Sequence, residues 1–300
     1  MRLIWTIAIL FVAACGGGGG SSTADAGPGS AGFDKPALAV HANTQGSDGS
    51  WMDAGPADLS CLGTPSSDMP TTVPVMLSTT VNDFQTQAAV AGANVIAFAG
   101  LSYMTPFDTK TADAEGNVTV TIPTGTDRFG FEMTFAATQY PTFLLNQQVD
   151  PAMATQTLPE IQSVSASTAT LLPALIGETR TMGTGVVAGT LRDCMTRPIS
   201  NFVVSVSSTS MTSTPIPGAQ AYYFSPIQMP LPVRHTVSDA STGNGLFMVI
   251  QLPVSATAYV QAWGYTATDT IGGNMTLLSE LAAPVLADTV VTGSFEPVRQ

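Results

Sequence analysis

The feature that most constrains this chain is the rhythm of its apolar residues from about position 73 onward. Short runs of β-branched and alternating residues recur at 75–81, 93–99, 117–122, 128–135, 186–191, 202–206, 246–252 and 256–263, with Gly, Pro, Asp and Asn between them. An apolar residue at every second position turns one face of a strand toward a core. Strands at this spacing, with turn signals between them, point to an all-β chain built as a β-sandwich. The steps Asp113-Ala114-Glu115-Gly116 and Thr242-Gly243-Asn244-Gly245 supply tight reversals in which glycine takes a positive φ. Pro123 and Pro253 end strands, because proline has no N–H to give the ladder. Two stretches read as helix instead. Residues 165–176 begin on serine and threonine and stop before Gly177, with Pro173 placed to end the helix early. A weaker candidate lies at 277–281.

The pattern occurs twice. Leu77-x3-Val81-Asn82-Asp83 is followed by the apolar run 93–98, and Val187-x3-Leu191-Arg192-Asp193 by the run 201–206. Each half continues with a threonine, a turn, a glycine and an apolar strand closed by proline, Thr111 to Pro123 and then Thr236 to Pro253. Another strand follows each, 128–135 and 256–263. Two related modules explain this order better than one continuous domain. The expected division is 73–164 for the first sandwich, 165–182 for a helical linker and 183–300 for the second sandwich.

The N-terminus carries a different signal. Arg2 is the only charge before an apolar run at 3–14, which falls short of the roughly 20 residues a membrane-spanning helix needs. A basic start, an apolar middle and small residues before a cut site make a signal peptide of 1–14. Its end, Val12-Ala13-Ala14-Cys15, resembles the lipobox of bacterial lipoproteins, in which the cysteine is acylated and becomes the new N-terminus. The plainer alternative is an ordinary cleaved signal peptide beside a chance cysteine. Gly16 after the cysteine resembles an outer-membrane address. The stretch 15–72 is rich in Gly, Ser, Ala, Asp and Pro and reads as a mostly disordered tether. Residues 33–41 and 51–61 are possible exceptions within it, since Trp51, Leu59 and Leu62 are able to dock on a folded domain.

Loss of residues 1–14 removes Arg2 and leaves 8 basic against 21 acidic side chains, a formal charge near −13. Such a surface repels phosphate backbones, so no nucleic-acid partner is expected. The chain has 3 cysteines. With Cys15 acylated, Cys61 and Cys194 form an even pair in an oxidising compartment. Bridging them would stabilise by about 4–5 kcal/mol in the chain-entropy picture, and the alternative is two unrelated buried thiols.

The second half also resembles a known family. Gly189-Thr190-Leu191-Arg192-Asp193, a turn, Pro198-Ile199 and the strand Val203-Val204-Ser205-Val206 are similar to the first hairpin of carboxypeptidase regulatory-like domains. Thr236 to Pro253 resembles that family's later strand, and Ala256 to Tyr265 the one after it. The resemblance covers 183–300 well and 73–160 more loosely. It departs at Asn201, where the family has a small glycine, and at a Ser-, Thr-, Pro- and Tyr-rich insertion over 207–232. The resemblance implies two tandem transthyretin-like sandwiches and an accessory, binding or spacer role without catalytic residues.

The residues offer little chemistry. Only His41 and His235 are available as bases, and neither shares a motif with a nucleophile. No nucleophile elbow, P-loop, dinucleotide fingerprint or HExxH is present. Asp83, Asp113 and Glu115 could be imagined as calcium ligands, but their spacing is not that of an EF-hand, and solvated turn residues are the better reading. Lys110 is the one lysine in the folded part and lies before a turn, unfavourably for an isopeptide crosslink to asparagine. Trp263 reads as core. Tyr222, Tyr223 and Phe224 leave two readings open: an exposed patch that binds a glycan or a protein partner, or an extra strand buried in the core. The expected function is a non-enzymatic, lipid-anchored cell-envelope protein acting as a structural, adhesive or accessory module, with no cofactor and no metal. The alternatives are a ligand-binding lipoprotein for glycan or peptide, using that aromatic insertion, and a hydrolase with an unrecognised site.

Overall fold

The computed structural model describes residues 35–158, 160–227, 231–234 and 237–300. The signal peptide, Cys15, the glycine-rich start of the tether and His235 lie outside the described residues. The described chain is nearly all β. A first hairpin is made by β1 (His41–Gln45) and β2 (Trp51–Pro56). The first half continues with β3 (Val75–Asp83), β4 (Asn94–Ala99), β5 (Asp108–Thr111), β6 (Asn117–Ile122), β7 (Arg128–Thr134), β8 (Gln139–Tyr140), β9 (Thr142–Gln148), β10 (Thr155–Thr157) and β11 (Ile161–Ser165). Helix α1 (Ala166–Leu175) follows. The second half holds β12 (Gly185–Leu191), β13 (Ile199–Ser200), β14 (Val203–Ser207), β15 (Gln220–Phe224), β16 (Pro232–Val233), β17 (Leu246–Leu252), β18 (Ser255–Gly264), β19 (Thr276–Val285) and β20 (Val290–Phe295).

The sequence repeat is a repeat of strand pairing. β3 pairs antiparallel with β6, as β12 does with β17. β4 pairs antiparallel with β7, as β14 does with β18. β9 then adds to β7, and β19 to β18. Each half closes with a strand parallel to its first: β10 and β11 on β3, and β20 on β12. Two β-sandwiches of the same plan result. Val75, Leu77, Val118, Val120, Phe129 and Phe131 are among the residues that fill the first. Val187, Leu191, Phe247, Val260 and Leu278 are among those that fill the second.

The two sandwiches are not separate beads. β20 pairs on its other edge with β9, in parallel from Val290↔Thr142 to Gly293↔Leu145. One nine-stranded sheet therefore runs β16-β15-β17-β12-β20-β9-β7-β4-β5 across the expected division at 165–182. Phe98, Phe143 and Leu145 from the first half share a core with the second half. Within this sheet, Gly189 of β12 lies under the ring of Phe295, where an added Cβ would stand 2.3 Å from the ring edge. Only a missing side chain allows that approach.

Two expectations change. The tether does not extend to 72: β1 and β2 form a hairpin whose inner strand pairs with β13, and Ala42 is fully buried. Residues 57–72 form an ordered strap from the second sandwich to the first, with Cys194 N–H donating to Asp58 O at 2.9 Å and Thr71 N–H to Thr126 O at 2.9 Å. The helical candidate at 277–281 is part of β19, where the ladder to β18 outweighs the helix propensity of its leucines. By contrast, 165–176 is helical. Ser165 caps α1 by accepting from Thr168 N–H at 3.1 Å, and Gly177 leaves it at φ 84°.

Candidate functional site

Strand alternation gives the nine-stranded sheet a second apolar face. On β12, Val187 and Leu191 point into the shared core, while Val186 and Ala188 point the other way. On β17, Phe247 and Val249 face the core, while Leu246, Met248 and Ile250 face away. On β9, Phe143 and Leu145 face the core and Leu144 does not. This second face floors a groove of about 530 Å³. Its walls are β11, through Gln162 and Val164, and α1, through Leu172 and Pro173.

The groove changes character along its length. At the α1 end the floor is Val186, Ala188, Met248 and Ile250. Where β9, β12 and β20 end, it meets a charged group. Arg128 donates from Nε to Asp68 Oδ2 at 2.6 Å and from Nη2 to Glu296 Oε2 at 3.0 Å, and its Nη1 reaches Asn146 O at 3.2 Å. Gln148 also donates to Asp68. Burial pushes the Asp68 carboxyl up, but hydrogen bonds and charge from Arg128, with Ser66 and Gln148, outweigh it and hold it below the usual carboxylate range. Burial likewise works against the Arg128 charge, and Glu296 and Asp68 more than restore it. Arg192, Arg299 and the Cys61–Cys194 bridge complete this end.

The predicted site residues fall in different places. Cys61 and Cys194 are joined, with Cα atoms 5.8 Å apart, and the bridge fastens the strap to the turn after β12. Tyr222, Tyr223 and Phe224 are a correction to the binding-patch reading. They form β15, paired with β17, and are 0 %, 2 % and 4 % exposed. Tyr222 and Phe224 pack on the α1 side of the sheet and Tyr223 in the shared core, where its hydroxyl accepts from Val204 N–H at 2.9 Å. These three side chains therefore present no exposed aromatic patch, because this part of the insertion is spent on widening the sheet. Phe224 alone of the three borders the groove.

Asp83 and Asp113 serve turns. Asp83 is buried rather than solvated and accepts from the N–H groups of Gln85 and Thr86, while exposed Asp113 accepts from those of Glu115 and Asn117. No cluster of metal-ligating side chains occurs among the described residues. His41 pairs with Asp53 across the first hairpin at 2.7 Å, and does not line the groove. Lys110 is half exposed and pairs with Asp108 at 3.3 Å, so it is not set in a core beside an asparagine. Trp263 is half-buried on β18. Sequence reasoning missed Arg128, Asp68 and the groove itself. The available signal was the unbroken apolar run 246–250, which marks a strand covered on both faces.

No protein-family model and no curated protein matches the chain. Among solved structures it is similar to the TIE protein of Bacillus anthracis, at 10 % identity and TM-score 0.26, over 74 % of this chain and 34 % of that one. The chain thus spans about a third of the TIE protein's length. It is also similar to the shaft pilin SpaA of Lactobacillus rhamnosus GG, at 12 % identity and TM-score 0.23, over 76 % and 98 % of the two chains. The pilus backbone RrgB of Streptococcus pneumoniae follows at 9 % identity and TM-score 0.19, over 82 % and 69 %. Scores of this size do not define a shared fold, and the β-sandwich assignment stands on the strand pairings themselves.

Proposed function

We propose that this chain is a non-enzymatic lipoprotein of the cell envelope, anchored through an acylated Cys15 at the outer membrane, and that it works as a rigid structural or adhesive module. The observation that carries the reading is the fusion of two sandwiches. One sheet, one strap and the Cys61–Cys194 bridge commit both halves to a single body, as suits a part that holds a surface away from a membrane. The lipobox-like residues 12–15 supply the anchor, and the Gly/Ser-rich stretch after them supplies reach.

Fractionation of cells making the chain and its Cys15→Ser variant tests the anchor. The wild type is expected in the membrane fraction with an acylated N-terminal cysteine by mass spectrometry, and the variant in the soluble fraction. A mature wild-type chain that starts beyond Cys15, or carries no acyl group there, would overturn the anchor. Hydrolase profiling of the purified chain tests the enzymatic alternative, and an activity abolished by His235→Ala would overturn the non-enzymatic reading.

A further inference from the structure

The groove on the second face of the nine-stranded sheet has a one-sided design that the module reading does not use. Its floor is made by strands β9, β20, β12 and β17, each paired on both edges. The floor therefore offers side chains and no free backbone N–H or C=O. Thr190, Thr292 and Ser294 give the floor hydroxyls toward the charged end, but beside α1 it is Val186, Ala188, Met248 and Ile250, where the backbone of an extended peptide would find no partners and an alkyl chain would need none. From Val290 to Glu296 the floor extends about 20 Å along the strands. One acyl chain spans about half of a 30 Å bilayer core, or about 15 Å. The volume of about 530 Å³ lies within the range of ligand clefts.

The charged end selects the head group. Four carboxylates line the groove as well: Asp68 and Glu296 share Arg128, Asp193 pairs with Arg197, and Glu160 stands on the β11 side, where it accepts from Gln162. Arg192 and Arg299, which border the same end, donate to uncharged oxygens, the Thr196 carbonyl at 2.9 Å and the Thr64 hydroxyl at 2.9 Å, and enter no ion pair among the described residues. In a chain of formal charge −12 with 9 basic residues, two guanidiniums without carboxylate partners at one end of an apolar groove complement an anion. We infer that the groove binds a single-chain anionic amphiphile, its alkyl chain over Ala188, Val186 and Met248 beside α1 and its anionic head at Arg192 and Arg299.

The test uses the full-length chain carrying Cys15→Ser, which bears no lipid of its own, titrated with hexadecanoate and with hexadecanol below their aggregation concentrations. Saturable binding is expected, tighter for hexadecanoate. The double variant Arg192→Glu/Arg299→Glu is expected to weaken hexadecanoate by about tenfold or more and to leave hexadecanol unchanged. Ala188→Phe, which fills the floor, is expected to weaken both. Both arginines are exposed, so the double variant tests the inference on a folded chain even where Ala188→Phe does not fold, as a circular-dichroism melt of each would show. Absence of saturable hexadecanoate binding would overturn the inference. So would binding that the arginine variant does not change, or hexadecanol binding as tight as hexadecanoate.

Discussion

The two sandwiches share a plan and differ in where the last strand goes. Each opens with a strand ended by a buried aspartate that ties down the next turn. Asp83 does so through the N–H groups of Gln85 and Thr86, and Asp193 through those of Met195 and Arg197. Each then builds the same antiparallel pairs. The first sandwich closes with β10 and β11 laid on β3, inside its own half. The second closes with β20, which pairs with β12 on one edge and with β9 of the first sandwich on the other. A closing strand whose second edge pairs in the other half makes two folding units into one, whereas β11 spends its edges on β3 and β8, both in its own half, and leaves that unit self-contained.

The largest difference between the two sandwiches should follow from a charge buried in each closing strand. Val291 of β20 and Ile161 of β11 are both 1 % exposed. Val291→Asp buries an unpaired carboxylate at the seam and is expected to cost more than about 4 kcal/mol. Amide exchange should then show protection lost from β7 and β9 as well as from β12 and β17. Ile161→Asp should cost a similar amount, but strip protection from β3 and β6 first and leave β17 and β18 guarded. If Val291→Asp leaves β7 and β9 protected, the shared sheet does not couple the halves.

The sequence made the repeat and the strand content legible because both follow from local pattern: alternation, turn glycines and strand-ending prolines. The same local cues located α1, through its Ser165 cap and Gly177 stop. The seam was illegible. Nothing in Val290–Phe295 distinguishes a strand with one neighbour from a strand with two, since pairing partners are set by residues far away in the chain. The hairpin over 41–56 was hidden by its composition. Its exposed outer strand, Trp51–Pro56, is polar and glycine-bearing, and the ordering comes from pairing β1 with β13, His41 with Ser200 and Ala42 with Ile199, far along the chain. The groove was lost for a related reason: an apolar residue facing a groove and one facing a core look alike until the opposing layer is known.

The bridge offers the next test. Cys61 and Cys194 are 133 residues apart, and the strap they fasten also donates from Gly63 N–H to Val298 O at 2.8 Å. Replacing both with alanine is expected to cost about 4 kcal/mol by thermal or denaturant unfolding, near the chain-entropy value for so long a loop. The loss should fall on the β12–β13 turn and the strap, and spare the β3–β4 turn, which has no bridge. Equal loss of protection at both turns would show that the disulfide acts on the whole body rather than on the second sandwich.

Acid tests the Asp83 turn further. Burial pushes the Asp83 carboxyl up, but hydrogen bonds from Thr86, Gln139 and Gln85 overcome this and leave it lowered. A lowered folded-state value stabilises above the unfolded carboxylate range, about pH 4, and that stability is lost as pH falls through the folded value. Asp83→Asn is therefore expected to cost about 1–2 kcal/mol near pH 7, and the gap from wild type should narrow as pH falls below the unfolded carboxylate range. Melting curves over that range check it, and a gap that stays constant with pH would remove the ionised carboxylate as the cause.

The smallest effect belongs to the residue that the sequence left between binding and packing. Tyr223 is buried in the shared core, edge-on to Phe202 at 6.5 Å between ring centres, and its hydroxyl accepts from Val204 N–H. Its environment raises the phenol's pKa well above the ordinary value, chiefly through burial, so it stays neutral across any working pH. Tyr223→Phe removes one oxygen and leaves the Val204 N–H without that partner. The expected cost is about 1 kcal/mol, seen as a lower melting temperature and faster exchange at Val204. The first sandwich has no counterpart to β15, so its exchange should be untouched. A variant that melts like the wild type but loses affinity for a glycan or protein partner would instead return Tyr223 to a surface role, against its burial in the shared core.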